Sequence, residues 1–191
     1  MLNKLFPSTE YEKIKYDKEG LYSITNYVEA DMISNLIKNL FIDTNNLSIL
    51  DGTGGIGGNT ISFGKFFNSV LSIEINTNRY EMLKNNIELF NLQNVKLLNL
   101  NSIDYLFSNY EKYNIYFFDP PWGGLDYKKN INLKLKMNNL SLNSIVDKLK
   151  ELTTNKVLLY KLPFNYDFTE FNSHDYKLYK INKYYIIAIL I

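Results

Sequence analysis

The sequence contains no cysteine and only one histidine, His174, among its 191 residues. Without thiols the chain can form neither disulfides nor thiolate metal sites. A single imidazole also argues against a histidine metal site or a catalytic triad. We therefore expect a protein that binds no metal. His174 lies in a polar stretch, and we expect it to be an ordinary surface residue.

The sequence also lacks an excess of charge of either sign, and it lacks long apolar runs. Lys and Arg total 21 against 20 for Asp and Glu, so the net charge is +1. Strong nucleic-acid binders often carry a basic excess, which disfavours wrapping of a long duplex but not capture of one nucleotide in a pocket. The chain has no run of about 18 apolar residues, and its N-terminus lacks the apolar core of a signal peptide.

These absences bear on the compartment, the oligomeric state and the partners of the protein. We expect a monomeric intracellular protein, cytoplasmic or nuclear, that has no membrane partner. Heavy use of Asn, Lys and Ile beside scarce Ala and Arg is typical of AT-rich genomes and would suit a viral or protist gene.

Hydrophobic residues make up 46% of the chain, enough for a full core. Short, nearly continuous apolar runs predict strands of a parallel sheet that is covered on both faces. These runs are Leu47–Asp51, Ser69–Ile75, Val95–Leu100, Asn114–Asp119 and Lys156–Leu162. Helical periodicity predicts helices over Tyr27–Phe41, Thr77–Phe90 and Ser144–Leu152.

The alternation of strands and helices predicts a doubly wound α/β fold. Two apolar segments split by Asn182 at the end of the chain predict an antiparallel hairpin. We expect one compact domain, with a lead-in segment and helix at 1–45 and the core at 46–191. The Asn-rich patch from Asn130 to Ser144 predicts a loop followed by a helix.

Glycine is concentrated directly after the first predicted strand, in "DGTGGIGGNT" from Asp51 to Thr60. Glycine lets the backbone turn sharply and approach a ligand closely. Glu74 ends the next strand, about 20 residues on, where a carboxylate can accept hydrogen bonds from a ribose diol. Asp51 can pair with the ammonium group of S-adenosylmethionine, so we favour this methyl donor over NAD. A turn that only packs helix against strand is the alternative.

Polar residues also follow the third and fourth predicted strands. Asn101 and Ser102 can hydrogen-bond an adenine edge. The stretch "FFDPPWGG" places Asp119 at the carboxyl end of a strand, where open α/β sheets bind ligands. A carboxylate and the Pro120 carbonyl can hold the two hydrogens of an exocyclic amino group, and Trp122 can stack on the base. The structural alternative is a core Trp beside a diproline turn.

With these residues in place, the chain resembles the trimethylguanosine synthase family, which methylates guanine N2 in RNA caps. The family loop is similar to "GGNTI" at Gly57–Ile61, and its catalytic segment "SPPWGGPDY" is similar to "DPPWGGLDY" at Asp119–Tyr127. "IKYDKEGLYSIT" (Ile14–Thr25) and "LPFN" (Leu162–Asn165) resemble further family segments. The resemblance implies a Rossmann-like class I S-adenosylmethionine-dependent methyltransferase, with a mostly parallel seven-stranded sheet and a C-terminal antiparallel hairpin.

The resemblance also implies a role for each candidate site residue. The predicted catalytic residues are Asp119, Pro120 and Trp122. The predicted cofactor-binding residues are Thr25, Asp51, Gly52, Thr53, Gly54, Gly57, Asn59, Thr60, Glu74, Ile75, Asn101, Ser102 and Asp119. The predicted contacts with 7-methylguanosine-capped RNA are Trp122, Phe6, Lys15, Tyr22, Ser23, Tyr127 and Asn165. The product would be 2,7-dimethylguanosine, or 2,2,7-trimethylguanosine after a second round.

Several of these assignments have alternatives. Asp119 replaces the usual Ser of the family, and "DPPW" also resembles adenine-N6 and non-cap guanine-N2 methyltransferases of RNA or DNA. Phe164 replaces an Arg, so Lys15 or Lys161 would have to contact the cap phosphates. Lys15 is otherwise a solvated surface lysine, and Tyr127 a structural residue.

Overall fold

The computed structural model describes residues 1–191, except for the side chain of Leu125. The strands are β1 (Ser48–Asp51), β2 (Ser69–Ile73), β3 (Val95–Leu98), β4 (Ile115–Phe118), β5 (Lys136–Met137), β6 (Leu140–Ser141), β7 (Val157–Pro163), β8 (Tyr176–Ile181) and β9 (Tyr184–Leu190). The α-helices are α1 (Lys18–Ser23), α2 (Tyr27–Lys38), α3 (Gly58–Phe66), α4 (Thr77–Leu89), α5 (Ser102–Asn109) and α6 (Leu142–Leu152). Short 3-10 helices occupy Leu2–Lys4, Tyr11–Lys13, Tyr110–Lys112, Gly124–Lys129 and Phe168–Phe171.

The main sheet has seven strands in the order β3-β2-β1-β4-β7-β9-β8. Strands β1, β2 and β3 pair in parallel, as do β4 and β7. Strand β9 runs antiparallel to both β7 and β8. The predicted mostly parallel α/β sheet with a C-terminal hairpin is therefore confirmed.

The chain forms two compact units, Met1–Ser102 and Ile103–Ile191. In the first unit, Phe6 and Ile14 of the N-terminal segment are buried in a cluster with residues from the glycine loop, α3 and α4. The other buried members of this cluster are Ile56, Ile61, Leu83 and Ile87. The N-terminal segment is thus part of the core of this unit, while the predicted division at residue 45 stays a prediction.

The core of the second unit is built on β4 and β7. Every side chain of β4 is buried, and so is β7 after its first residue. Helix α6 contributes an apolar face of Leu142, Ile145, Val146 and Leu149. Burial on both faces explains why these strands are nearly continuous apolar runs in the sequence.

Capping side chains define where the predicted helices begin. Asn26 accepts a hydrogen bond from the Glu29 backbone N–H at 3.0 Å, and Asn76 accepts one from Arg79 at 3.1 Å. Such caps satisfy amide groups that have no partner within the helix. The helix at Tyr27 ends at Lys38, three residues earlier than predicted.

Three α-helices were not predicted: α1, α3 and α5. Helix α3 has the sequence "GNTISFGKF", in which Gly, Thr, Ile and Phe are all weaker helix formers than Ala. Its residues Asn59 to Gly64 are buried, so tertiary packing supplies the stability that local propensity does not. Helix α5 is only eight residues long, which makes its periodicity hard to recognise.

Two local expectations differ from the structure. A helix, α6, follows the Asn-rich patch as predicted, but the predicted loop contains a small hairpin of β5 and β6, with Asn138 and Asn139 at φ 49° and 63° in its turn. The His174 side chain is only 5% exposed, and its Nε2 lies 2.9 Å from Asn143 Oδ1 and 3.2 Å from Asp147 Oδ1. Its pKa is lowered, mainly by burial.

Among the described residues, no helix combines the length and apolar character that crossing a bilayer requires.

Candidate active site

The glycine loop is organised by Asp51, which ends β1 and is fully buried. Its Oδ2 accepts a hydrogen bond from the Thr60 hydroxyl at 2.6 Å, and its Oδ1 accepts one from the Thr53 backbone N–H at 3.2 Å. The Thr60 hydroxyl also lies 2.9 Å from Ser72 Oγ on β2. Asp51 thus ties both ends of the loop to the sheet. Its predicted contact with the cofactor ammonium stays a prediction.

Two glycines at the start of α3 are required by the backbone. Gly57 has φ 108°, a conformation that costs little for glycine and is strained for other residues. A Cβ on Gly58 would lie 2.6 Å from the Thr25 carbonyl oxygen. Thr25, a predicted cofactor residue, is therefore held directly against the loop, where it is 4% exposed.

Glu74 follows β2 and faces the same loop. Its Oε2 accepts a hydrogen bond from the Gly55 N–H and its Oε1 accepts one from the Asn76 N–H, both at 2.8 Å. Each carboxylate oxygen has a second lone pair, so Glu74 can still accept hydrogen bonds from a ribose diol. The adjacent Ile75 is 66% exposed and offers an apolar surface next to this carboxylate.

Asn99, which follows β3, was not among the predicted site residues. Its Nδ2 donates to the carbonyl oxygens of Glu74 and Ile75 at 2.7 and 3.2 Å, and its Oδ1 accepts from the Thr77 hydroxyl at 2.9 Å. Asn99 thereby positions the segment that carries Glu74. The predicted Asn101 and Ser102 come directly after it, and Ser102 is buried at the start of α5.

The residues of this loop fit S-adenosylmethionine. Asn59, at the start of α3, is 6% exposed, and its Oδ1 has no hydrogen-bond partner among the residues that the structure describes. A buried acceptor without a donor costs free energy unless a ligand or water supplies one. Gly55 has open space above its Cα. An acceptor, a carboxylate and open space suit a ligand that brings an ammonium group and a ribose.

A second cluster, in the unit Ile103–Ile191, comprises Asp119, Trp122, Tyr127, Lys161 and Tyr184; we call it the Trp122 cluster. Strand register brings its members together. Phe118 on β4 is paired with Tyr160 on β7, so the next residues, Asp119 and Lys161, come side by side. Lys161 Nζ lies 2.6 Å from Asp119 Oδ2.

This ion pair is shielded from water. The side chains of Lys161 and Asp119 are 6% and 16% exposed. Burial raises the pKa of the Asp119 carboxyl above its ordinary value, because burial disfavours the charged form. The charge and hydrogen bond of Lys161 act on this pKa in the opposite direction, because a nearby cation favours the charged form.

Trp122 is half-buried and held on several sides. Its indole N–H donates to the Lys161 backbone carbonyl at 3.3 Å. Tyr127 packs edge-on against it at 5.1 Å between ring centroids and an interplanar angle of 72°, and the Tyr184 ring lies 6.4 Å away. Pro120 is buried, whereas Pro121 and the two following glycines are exposed. The indole is therefore fixed in place but not enclosed.

Asn165 fixes the segment that follows Trp122. Its Nδ2 donates to the carbonyl oxygens of Tyr127 and Asn130 at 2.8 and 2.7 Å. Its Oδ1 is buried without a hydrogen-bond partner among the described side chains and backbone. Tyr127 itself is 7% exposed. Both residues therefore shape the surroundings of Trp122, and their predicted contact with RNA stays a prediction.

The other predicted RNA contacts lie in the first unit. Phe6 is 1% exposed and packs in the core cluster described above, so it has almost no surface for a base in this conformation. Lys15, Tyr22 and Ser23 are exposed. The backbone of Lys15 is bonded at both its N–H and its carbonyl to the buried Asn86 side chain, which leaves the ammonium free to reach into solvent.

Tyr184 was not among the predicted site residues, and Lys161 was predicted only as a phosphate contact. Lys161 Nζ lies over the rings of Tyr184 and Trp122, at 4.7 and 5.2 Å from their centroids. The signal for Lys161 is a cation inside an apolar strand, since lysine is rarely buried unless it is paired. Tyr184 carries no such signal in the sequence.

The fold and the glycine loop are those of a Rossmann-like protein, and the family match makes its class that of an S-adenosylmethionine-dependent methyltransferase. A family model described as RNA cap guanine-N2 methyltransferase matches residues 46–189. The chain belongs to this family. The family and the fold imply that the protein uses S-adenosylmethionine.

The chain is similar to curated proteins whose described functions differ from one another. Protein L320 of Acanthamoeba polyphaga mimivirus is 36% identical over 204 residues, which cover 94% of this chain and 79% of the relative. The trimethylguanosine synthase of Schizosaccharomyces pombe is 31% identical over 121 residues, covering 61% of this chain and 49% of that enzyme. Ribosomal RNA small subunit methyltransferase D of Buchnera aphidicola (subsp. Baizongia pistaciae) is 26% identical over 140 residues, covering 73% of this chain and 70% of the relative.

Solved structures support the fold. The precorrin-6y C5,15-methyltransferase of Geobacter metallireducens has a TM-score of 0.61 at 16% identity, covering 93% of this chain and 94% of that one. The methyltransferase yhhF of Escherichia coli has a TM-score of 0.55 at 15% identity, covering 85% and 86%. At these identities the likeness concerns the fold alone.

Proposed function

We propose that the protein transfers a methyl group from S-adenosylmethionine to the exocyclic N2 of 7-methylguanosine in an RNA cap. The product is 2,7-dimethylguanosine, and a second round gives 2,2,7-trimethylguanosine. The observation that carries the proposal is the Trp122 cluster, in which a fixed, half-exposed indole adjoins a carboxylate. The family match over residues 46–189 supports the same substrate.

The amino group of guanine is a weak nucleophile because its lone pair is delocalised into the ring. An acceptor placed against its N–H groups orients the lone pair, and such positioning can supply a large part of a rate enhancement. In this proposal the Asp119 carboxylate and the Pro120 carbonyl are those acceptors. The Lys161 ammonium already holds Asp119 Oδ2 at 2.6 Å, so the carboxylate that would accept from the amino group is fixed in orientation.

Trp122 supplies the surface for the base in this proposal. Stacking on an aromatic ring contributes about 1–3 kcal/mol per base. A 7-methylated base is positively charged, so a cation–π interaction with the indole adds to this. The contacts of Trp122 with Lys161 and Tyr127 hold the ring in one orientation, which reduces the entropy lost on binding.

The glycine loop would hold the cofactor. Glu74 would accept hydrogen bonds from the ribose, Asn59 Oδ1 and Asp51 would face the ammonium end, and Asn101 and Ser102 would contact the adenine. When bound, the cofactor supplies an electrophilic methyl group on sulfur. The role of these residues is to bind and orient it, since no base is needed to activate a sulfonium.

A methylation assay with matched RNAs tests the substrate. The same short RNA is offered with a 7-methylguanosine cap, with an unmethylated guanosine cap and with no cap, and the products are digested and identified by mass spectrometry. We expect methylation of the 7-methylguanosine, at N2. Equal labelling of uncapped RNA, or label on adenine, would contradict the proposal.

A second candidate is methylation of uncapped RNA at guanine N2 or adenine N6. The similarity to ribosomal RNA small subunit methyltransferase D favours it, as does the aspartate at position 119. The uncapped arm of the same assay distinguishes the two, because an enzyme for internal nucleotides would not need the cap.

A further inference from the structure

Lys161 is an unusual residue for its position. It lies within β7, whose other side chains beyond the first residue are apolar or aromatic and buried, and it is itself 4% exposed. Burying an ammonium is costly unless a counter-charge and hydrogen bonds compensate. A lysine at a buried position of an apolar strand therefore indicates that its positive charge has a functional role.

Lys161 contacts both of the residues assigned to the base. Its ammonium lies 2.6 Å from Asp119 Oδ2 and 5.2 Å from the centre of the Trp122 ring. Its backbone carbonyl accepts the indole N–H at 3.3 Å. One residue is therefore bonded through its side chain to the carboxylate and through its main chain to the indole.

Strand pairing fixes the third partner. Pro163 on β7 is paired with Tyr184 on β9, and Lys161, two residues before Pro163, points to the same face of the sheet. The Tyr184 ring accordingly lies 4.7 Å from Lys161 Nζ. The ammonium is held between two rings and a carboxylate, so its own freedom is small.

We propose that Lys161 is a positioning residue of the methyl-transfer site, which joins Asp119 and Trp122 into one rigid unit. The ammonium pins Oδ2 of the carboxylate and favours its ionised form, so that Asp119 is held as a fixed acceptor for the base. This inference rests on the proposed function in that Asp119 must orient an amino group. It goes beyond the predicted role of Lys161 as a phosphate contact.

The activity should depend on pH through the ionisation of Asp119. A protonated Asp119 would be a hydrogen-bond donor at the position where an acceptor is required, so activity is lost as pH falls through the pKa of this carboxyl. Burial raises that pKa and Lys161 opposes the increase. The other titratable groups of the Trp122 cluster are Lys161 from β7, which is paired with Asp119, Tyr184 from β9, whose ring lies under the Lys161 ammonium, and Tyr127 from the 3-10 helix, which packs on Trp122. Without the cation, the pKa of Asp119 must rise further.

The ionisation of Asp119 can be measured through the fluorescence of Trp122, because Trp122 is the only Trp of the chain. The emission of Trp122, excited selectively over the tyrosines, is followed against pH in the absence of RNA and cofactor. We expect an acidic transition in the wild type, above the ordinary range of an aspartate, that Asp119→Asn abolishes. In Lys161→Met we expect the midpoint to move upward by at least one pH unit, a tenfold change in proton affinity.

Activity provides the second readout. The kcat/KM of Lys161→Met should be at least tenfold below wild type at acidic pH, and the deficit should shrink as pH rises and Asp119 ionises. Lys161→Arg, which keeps the cation, should retain the wild-type midpoint. Lys177→Met removes an exposed lysine of β8 in the same unit and should change neither readout. Coinciding midpoints of wild type and Lys161→Met would overturn the inference.

Folding of the variant is controlled by a double substitution. If Lys161→Met alone does not fold, Asp119→Asn combined with Lys161→Met should restore folding, because the double variant leaves no unpaired buried charge. Failure of this double variant to fold would mean that Lys161 is needed for packing, and the inference would fall. The emission readout needs no substrate, so it tests the Lys161–Asp119 ion pair separately from the proposed function. A shifted midpoint in Lys161→Met together with no methylation of capped RNA would refute the proposed function but would still support the ion pair.

Discussion

Trp122 combines three contacts on one half-exposed side chain: a hydrogen bond to the Lys161 carbonyl, an edge-on contact with Tyr127 and an ammonium near its ring. A tryptophan that served only as core would be covered, whereas this ring is held by its edge and lies in a segment whose neighbours are exposed. At the scale of single residues, the site therefore depends on side chains that are fixed by neighbours but still available to a ligand.

Replacement of Trp122 tests its assignment. We expect Trp122→Ala to lose about 1–3 kcal/mol of base binding, which is roughly a 5- to 150-fold increase in KM for the capped RNA. Trp122→Phe keeps a ring face and loses only the indole N–H, so its loss should be smaller. Cofactor affinity, measured by calorimetry with S-adenosylhomocysteine, should be nearly unchanged in both variants. Equal loss of cofactor and RNA binding would show that Trp122 is a structural residue.

At the scale of elements, the glycine loop and α3 depend on one buried carboxylate. Asp51 reaches from the end of β1 to Thr60 in the first turn of α3, and Thr60 in turn reaches Ser72 on β2. Local propensity does not favour a helix at Gly58–Phe66. The hydrogen bonds of Asp51 and the burial of this segment instead define where the helix begins and how the loop is shaped.

A hydroxyl deletion in this loop should therefore affect both stability and binding. Thr60→Val is nearly isosteric and removes a donor from the buried Asp51 carboxylate, which should lower the free energy of unfolding by about 1–3 kcal/mol. Cofactor affinity should fall as well, because the loop loses its fixed shape. Thr60→Ser keeps the hydroxyl and is the matched control. Urea denaturation and calorimetry measure the two effects, and a stable Thr60→Val with wild-type affinity would contradict this account.

At the scale of the whole molecule, cofactor binding should appear as thermal stabilisation. A ligand at 100 times its Kd adds about 2.7 kcal/mol, and for a chain of this size each kcal/mol raises Tm by roughly 2–4 °C. We expect S-adenosylhomocysteine to raise Tm by about 5–11 °C at that excess. Glu74→Gln should reduce the increase, whereas Glu81→Gln, at an exposed position of α4, should not. An unchanged Tm at saturating ligand would argue against the assigned cofactor site.

The order of strands and helices could be predicted because each element has a local signature. The apolar runs that became β1, β4 and β7 are buried, and burial demands apolar residues at consecutive positions. In the C-terminal hairpin this holds for β9, which is largely buried, but not for β8; the turn between them was indicated by Asn182, which has φ 48°. Helix α3 could not be predicted, since its stability comes from packing that the local sequence does not encode.

The sequence by itself also determined which chemistry is present: a glycine loop with Asp51, an acidic residue after β2, and Asp119 three positions before Trp122. Only the tertiary structure decided what Asp119 is bonded to. Its partner Lys161 is 42 positions away, and the two meet because β4 and β7 pair with Phe118 beside Tyr160. The pattern of hydrophobic residues is a local property of the chain. An ion pair between neighbouring strands depends instead on the register of those strands, and this register is fixed only when the strands assemble into the sheet.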